Sequence, residues 1–197
     1  MEQKIDMIVN RLPAKTWNRL SVNQAEIKNL ASDGWQRPAV TVRYPKDEKP
    51  IVRELTTEQE SSVYKKMEQI RTGMGAEVSR LKPGYAADIC VETAEEGGES
   101  DERRERMRRD EVVLVLDYPD RKNCFQDVKI YARAGESVTV WIIVRSKKDA
   151  EGKAVLRTLL QAEENAKIRL VQVDLLGDRM QLFNDIGVES GKQAQIE

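Results

Sequence analysis

The sequence contains no histidine, and only 5% of its 197 residues are aromatic. Histidine is the commonest general base in enzymes and the commonest metal ligand in proteins. Its absence excludes a Ser-His-Asp triad, an HExxH zinc site and a two-histidine iron site. We therefore predict that the chain is not an enzyme, that it holds no catalytic residue and that it binds no metal of its own.

Cysteine is also scarce, because Cys90 and Cys124 are the only two in the chain. Two cysteines are too few for a disulfide framework and are typical of a reducing cytosol. A thiolate can bind iron or accept sulfur, and the neighbouring Arg121 and Lys122 could lower the pKa of Cys124. A structural thiol is the alternative, and we favour it for both residues.

Long apolar runs are missing, and neither sign of charge is in excess. No stretch approaches the roughly 18 apolar residues of a membrane span, and no leading signal segment is visible. Lys and Arg number 33 against 34 for Asp and Glu, which argues against a dedicated nucleic-acid surface. We expect a soluble, cytoplasmic protein without a membrane or nucleic-acid partner.

Charge is concentrated in residues 94–111, which read AEEGGESDERRERMRRDE. Such a mixed run predicts a solvated linker, which we place at 94–110. The alternative is a basic docking face, although the interleaved acids weaken it. That face would use five arginines: Arg103, Arg104, Arg106, Arg108 and Arg109.

The segment before this run, 1–93, is predicted to be a helical and irregular region. Asn23 and Glu26 form a capping-box-like start for a short helix that runs to about Ala31. Residues 39–44 predict a short edge strand.

A longer helix is predicted from Thr57 to the glycines at 73 and 75. Its apolar stripe predicts packing onto the rest of the domain. The stripe consists of Val63, Met67, Ile70 and Met74. The Gly-Met-Gly that follows is not a phosphate loop, because it lacks the Gly-Lys-Ser/Thr of that motif.

From residue 111 onwards the sequence reads as short strands, the first at 112–116. Segments that begin at Ala134, Ala162 and Ser190 align without gaps, at two intervals of 28 residues. Alternate positions in this alignment face one core, and all of them are apolar except Thr158 and Asn184. The inward positions are 128, 130, 132, 138, 140, 142, 156, 158, 160, 166, 168, 170, 184, 186, 188, 194 and 196.

A one-sided core with a fixed long period predicts a mainly β fold, an incomplete parallel β-helix over 111–197. A β-sandwich with evenly spaced hairpins is the rival. Trp141 points outward in this register and predicts contact with a neighbouring element or an interface. The sequence stops at Glu197 inside a strand without a visible cap, so we expect a longer protein truncated on this side.

Four stretches resemble the SufB/SufD scaffold proteins of SUF-type iron–sulfur cluster assembly, the shorter SufD-like members especially. The last of them, which carries Val171–Gly177 and Phe183–Gly187, is the most specific. The four stretches are residues 12–26 with Leu-Pro and Thr-Trp-Asn, residues 72–75 with Thr-Gly-Met-Gly, residues 134–144 with Ala-Gly-Glu, and residues 164–187 with Glu-Asn-Ala.

The resemblance implies a cytosolic, non-catalytic scaffold with a right-handed parallel β-helix flanked by helical terminal regions. Its partners would be a SufC-like ATPase and a SufB or SufD homologue, and the full complex would carry an iron–sulfur cluster transiently. The family's SufC-gripping helices and its proposed cluster-binding Cys and His positions lie toward the carboxyl end, and nothing in this sequence matches them. No cofactor-binding residue is therefore assigned, and we expect no copurification with SufC.

Two functions of other classes stay open. A small enzyme of β-sandwich or cupin-like type would need inward polar or metal-binding side chains. A stand-alone solenoid interaction module would have no link to the Suf proteins.

Overall fold

Strands dominate the computed structural model, which describes residues 4–9, 25–31, 34–44, 51–56, 62–83, 86–93 and 110–197. One short α-helix and one 3₁₀-helix accompany them. The strands are β1 (Lys4–Val9), β2 (Ala25–Ala31), β3 (Trp35–Gln36), β4 (Ala39–Arg43), β5 (Ile51–Leu55), β6 (Asp88–Glu92), β7 (Asp110–Asp117), β8 (Lys122–Ala132), β9 (Ser137–Arg145), β10 (Glu151–Ala162), β11 (Lys167–Leu175), β12 (Arg179–Ser190) and β13 (Gln195–Ile196). The helices are α1 (Ser62–Met67) and the 3₁₀-helix Gly75–Leu81.

From β6 onwards, consecutive strands alternate between two sheets. The first sheet has the order β12-β10-β8-β6-β5, with β3 also beside β8, and the second has the order β13-β11-β9-β7-β4. Each strand from β8 onwards pairs in parallel with the strand two places earlier. The prediction of a mainly β fold is confirmed. The rival arrangement of antiparallel hairpins is not what these strands form.

Antiparallel strands close one edge of each sheet. β5 pairs antiparallel with β6 in the first sheet, and β4 pairs antiparallel with β7 in the second. The edge strand expected at 39–44 is therefore confirmed. The predicted boundary at 93/94 falls between β6 of the first sheet and β7 of the second, and the boundary at 110/111 falls after the first residue of β7.

The facing sides of the two sheets enclose one apolar core. In β9 buried and half-buried residues alternate strictly, as expected for a strand with one face on a core. Buried aliphatic side chains such as Leu114, Ile142 and Leu156 form the centre of this core. The inward side chains of β12 are less covered, because no further strand of the described chain lies beyond it: Ile186 is 42% exposed and Val188 49%.

The repeat has two lengths rather than one. Ala132 pairs with Ala162, thirty positions on, whereas Ala162 pairs with Ser190 at the expected interval of 28. The extra two residues lie in the loop 146–150, which is two residues longer than the equivalent loop 176–178. Because side chains alternate with a period of two, this shift leaves every inward position inward, although the gap-free alignment was wrong.

The bends that follow β8, β10 and β12 stack on one another. Each contains one residue with positive φ, namely Gly135, Asn165 and Gln193. Backbone hydrogen bonds join successive bends, from the Gly135 N–H to the Glu164 carbonyl and from the Asn165 N–H to the Lys192 carbonyl. The bends therefore extend the hydrogen-bonded stack beyond the strands themselves.

The short helix expected to run from Asn23 to about Ala31 is wrong over its described residues. Residues from Ala25 to Ala31, predicted as helix, form a strand that pairs with β1. The capping signal was overruled because pairing and burial decide such short segments: Leu30 is fully buried while Glu26 and Lys28 stay exposed.

The second predicted helix exists but is short. It ends at Met67, and Gly75, which has positive φ, is the first residue of the 3₁₀-helix. The expected start at Thr57, like the charge run 94–109, lies outside the described residues. Among the residues that the structure describes, no helix has the length and apolar composition that crossing a membrane requires.

Gly177 tests the close stacking of the loops. A Cβ at this residue would collide with the backbone oxygens of Lys147 and Lys148, the latter at 2.6 Å. We expect Gly177→Ala to lower the free energy of unfolding by about 3 kcal/mol, because backbone atoms cannot move aside as a flexible side chain would. Urea denaturation followed by circular dichroism measures the loss.

The matched control is Gly135→Ala, where a Cβ meets no atom within 4 Å but φ is +75°. Only left-handed strain applies there, so a loss of about 1 kcal/mol is expected. Equal losses in the two variants would contradict the close approach of the loops.

Candidate functional site

The outer face of the first sheet is covered by a layer formed by residues 62–83, which we call the outer layer. Tyr64 and Met67 of α1 pack on Tyr131 and Leu159, and Cys90 lies in the same cluster. Met74, Val78 and Leu81 pack on Phe125 and Val155. The apolar stripe predicted for the helix thus does pack onto the domain. Because the outer layer covers the first sheet, the side chains of β8 are buried on both faces.

A glycine and an aspartate let the outer layer reach β12. A Cβ on Gly187 would lie 2.9 Å from Ile70 Cγ2 and 2.8 Å from Thr72 Cγ2, so the bare backbone makes room for this crossing. Asp185, which is buried, accepts a hydrogen bond from the Met74 N–H at 3.0 Å. The outer layer therefore spans β8, β10 and β12.

Between the outer layer and the sheet lie six charged residues, which we call the buried ionic cluster. Three are acidic and three are basic, and they come from the outer layer and from three strands. The outer layer supplies Glu68 and Lys82, β6 supplies Asp88, β8 supplies Asp127 and Lys129, and β10 supplies Arg157.

Lys129 is fully buried and joins two carboxylates. Its Nζ lies 2.7 Å from Glu68 Oε1 and 2.8 Å from Asp88 Oδ2. Lys82 approaches from the other side, with its Nζ 2.5 Å from Asp88 Oδ1 and 3.4 Å from Asp127 Oδ2. Each buried acid is thus in contact with at least one cation.

Arg157 makes the most contacts in the cluster. Its Nε and Nη2 each lie 2.6 Å from one oxygen of Asp127, which is the bidentate geometry of a strong ion pair. Nη2 also donates to Glu68 Oε2 at 2.9 Å, and Nη1 donates to Ser79 Oγ at 2.9 Å. One guanidinium therefore links the sheet to two positions of the outer layer.

The pKa values of the cluster follow from burial and pairing. Burial raises the pKa of Glu68, but the nearby Arg157 and Lys129 outweigh it, so the pKa falls below its ordinary value. Burial also raises the pKa of Asp127, and its bonds with Arg157 oppose the rise only in part. Burial lowers the pKa of Arg157, yet Asp127 and Glu68 reverse the shift, so Arg157 stays charged.

The three carboxylates have the geometry of a metal site but not its charge. One oxygen from each of Glu68, Asp88 and Asp127 lies within 4.8 Å of the others. Hard cations such as Mg²⁺ are held by carboxylate oxygens whose charge is free to balance the ion. Here Lys82, Lys129 and Arg157 already balance all three charges. The cluster consequently fits a structural role, which is to attach the outer layer to the sheet.

The two cysteines lie in different environments, and both are buried and unbonded to each other. Cys90 is in the apolar cluster under α1, and Cys124 is in the core between the sheets. Burial raises the pKa of Cys124 to about 11, because it outweighs the opposing charge of Lys122. The expectation that basic neighbours lower this pKa is therefore wrong, and the residue has the environment of a structural thiol.

Other residues singled out in the sequence also have defined surroundings. Trp141 points outward as predicted, and its Nε1 donates to Glu111 Oε1 at 2.6 Å. Glu163, in the bend after β10, accepts hydrogen bonds from the Tyr131 hydroxyl and from the Ala134 N–H. The arginines at 103–109 lie outside the described residues.

The buried ionic cluster was not predicted from the sequence. Asp127, Lys129 and Arg157 occupy outward positions, where charged residues are normally solvated. The missed signal was the mixture of large apolar residues at the same outward positions. Phe125, Tyr131, Val155 and Leu159 all point away from the main core, which indicates that this face is covered.

With this geometry described, comparison with known proteins identifies no relative: the chain matches no protein-family model, no curated protein and no solved structure.

Lys129→Met tests the buried ionic cluster. The change leaves the carboxylates of Glu68 and Asp88 without their shared buried cation. Breaking a buried pair on one side typically costs about 3–5 kcal/mol, and we expect a loss of that size in the free energy of unfolding. Chemical denaturation measures it.

Lys167→Met is the matched control. Lys167 pairs with Glu197 at 2.6 Å, but both side chains are about half exposed, at 41% and 52%. Exposed pairs contribute at most about 1 kcal/mol. A loss at Lys129 no larger than at Lys167 would contradict the burial of the cluster.

Cys124 predicts a pH dependence of stability. Above pH 9 an unfolded thiol loses its proton, whereas the native thiol keeps it up to about pH 11. The native state then binds more protons, so the free energy of unfolding falls as the pH rises through this window. We expect Cys124→Ala to show a shallower fall.

Tyrosines with raised pKa, such as Tyr118, add a fall of the same sign in both proteins. The difference between the two denaturation series therefore isolates the thiol. Parallel curves for wild type and variant would show that Cys124 does not carry this pKa.

Proposed function

We propose that this chain is a non-catalytic scaffold subunit of a SUF-type iron–sulfur cluster assembly complex, built on a right-handed parallel β-helix. The observation that carries the proposal is the alternation of consecutive strands between two parallel sheets around one apolar core. Such stacking makes a long, stiff wall rather than a pocket. It also agrees with the fold that the sequence resemblance implies.

The partner in this proposal is a SufB or SufD homologue that binds at the edge formed by β12. In the described residues, no strand pairs with the side of β12 that faces away from β10, and the inward side chains of Ile186 and Val188 are exposed. A strand from a partner could continue the sheet there, since open strand edges are templates for pairing. The partner ATPase hydrolyses ATP, and the iron–sulfur cluster is cargo of the whole cytoplasmic complex.

The composition of the core favours this proposal over a cupin-like enzyme. Its centre is an apolar cluster in which Cys124 is the one residue that commonly ligates metals, and the buried Thr158 faces inward beside it. A mononuclear metal site needs several converging ligands. Metal analysis of anaerobically purified protein discriminates the two functions, because a stoichiometric mononuclear metal would favour the enzyme.

Coexpression with SufB-, SufC- and SufD-like proteins tests the scaffold proposal directly. We expect affinity capture of the tagged chain to recover a SufB- or SufD-like partner. Ile186→Lys should reduce that recovery at least about tenfold, because an inward charge on an edge strand opposes pairing.

Gln181→Lys is the control, since it adds the same charge to the same strand at an exposed, outward position. Recovery should survive this change. Failure of the wild-type chain to capture any Suf protein would count against the scaffold function. Equal loss in both variants would instead move the contact away from the inward side of β12.

A further inference from the structure

The outer face of the second sheet carries two apolar rows that run across three strands. One row is Val113, Trp141 and Val171, which are in register on β7, β9 and β11. The adjacent row is Val115, Ile143 and Val173. We call these six side chains the apolar outer face.

In the described residues, no segment packs on this face as the outer layer packs on the first sheet. Five of the six side chains are half-buried, and Val115 is buried, at 2% exposed. None of the six belongs to a hydrophobic cluster of the described chain. Parallel sheets are normally covered on both faces, because their strands are apolar on both sides. The composition of this face therefore calls for a cover.

Trp141 lies at the middle of the face, on the central strand. The one polar atom of its side chain, Nε1, donates a hydrogen bond to Glu111. Another surface can therefore cover the ring without leaving a buried donor unpaired. Tryptophan is enriched among the central residues that contribute most of the binding free energy of an interface. This arrangement suits a contact with another protein surface.

The charges at the rim identify the occupant. Glu111 and Arg169 lie on either side of Thr139 in the next row. Glu197 follows Arg169 in this row, and its charge is paired with Lys167. A two-fold axis parallel to β9 places β7 of one copy over β11 of the other. Glu111 of each copy then faces Arg169 of its partner, and Trp141 faces Trp141. The face is thus complementary to itself in charge and in shape.

The charged residues on the other side of the two apolar rows do not repel each other in this dimer. Arg145 lies near the axis, where it would approach its own symmetry copy. Its guanidinium is already bound to both oxygens of Asp117, the second contact at 2.9 Å, so the like charges are neutralised within each copy.

The size of the face fits a weak, reversible dimer. The strands β4, β7, β9, β11 and β13 of the second sheet have five, eight, nine, nine and two residues. At about 4.8 Å between strands and about 3.3 Å per residue, the sheet covers roughly 500 Å². Stable interfaces bury about 800 Å² on each partner, whereas weak and transient ones bury less.

We propose that the apolar outer face is the interface of a two-fold symmetric dimer of this chain, with the β9 strands of the two copies packed face to face. The dimer does not depend on the scaffold function proposed above. That function uses the edge of β12, whereas the dimer uses a different sheet and requires no Suf protein.

Sedimentation velocity over a range of protein concentrations tests the dimer. We expect a reversible monomer–dimer equilibrium. Trp141→Ser should raise its dissociation constant at least about thirtyfold, as loss of a central tryptophan typically does. Val188→Ser, on the open edge of β12, is the control and should leave the constant unchanged.

Charge reversal tests the symmetry. Glu111→Lys and Arg169→Glu each place like charges together at both ends of the dimer, and each should weaken self-association about tenfold. When the two variants are mixed, every contact in the heterodimer joins opposite charges. Mixing should therefore restore wild-type affinity, which a variant that merely loses the Trp141 hydrogen bond could not do.

Three results would overturn the proposal. They are a protein that stays monomeric at every concentration, a dimer that Trp141→Ser leaves intact, and charge variants that do not rescue each other. A dimer sensitive to Val188→Ser alone would place self-association at the β12 edge instead. Capture of Suf partners by Trp141→Ser remains a separate measurement, so either proposal can fail without the other.

Discussion

Hydrogen bonding of each strand to the strand two places earlier is the constraint on which the rest of this structure depends. It aligns residues 28 or 30 positions apart and carries the alternation of inward and outward side chains from one strand to the next. The core, the stacked bends and the close approach of the loops at Gly177 all follow from that register. Side chains at paired positions of neighbouring strands lie side by side in rows across a sheet. Charged and apolar residues are therefore both arranged in rows.

The two sheets use their outer faces differently. On the first sheet the rows mix large apolar residues with Asp127, Lys129 and Arg157, and a separate segment of the chain supplies the complementary charges. On the second sheet the central rows are apolar and the charges stand at the rim. On the first sheet, the buried ionic cluster fixes the position of the outer layer, because loss of one charged partner leaves the other buried and unpaired. An apolar patch with a charged rim suits a contact that forms between molecules.

Much of the core could be predicted from the sequence, because a period of two survives changes in loop length. The two extra residues in 146–150 left Ile142 and Leu156 facing inward. Short-range signals performed worse: the capping pattern at Asn23 predicted a helix where the chain pairs with β1. The ionic cluster could not be predicted, because it joins Glu68 to Arg157, 89 positions away. No local pattern records which outward charges a distant segment will cover.

The order in which the outer layer and its binding surface are synthesised has a consequence for folding in the cell. Residues 62–83 leave the ribosome before β8, β10 and β12, on which they pack. Met67 and Val78, fully buried in the final structure, have no sheet to cover them until about a hundred further residues are made. Exposed apolar segments of nascent chains are the sites that chaperones bind. The outer layer is accordingly a segment whose folding depends on the pace of translation.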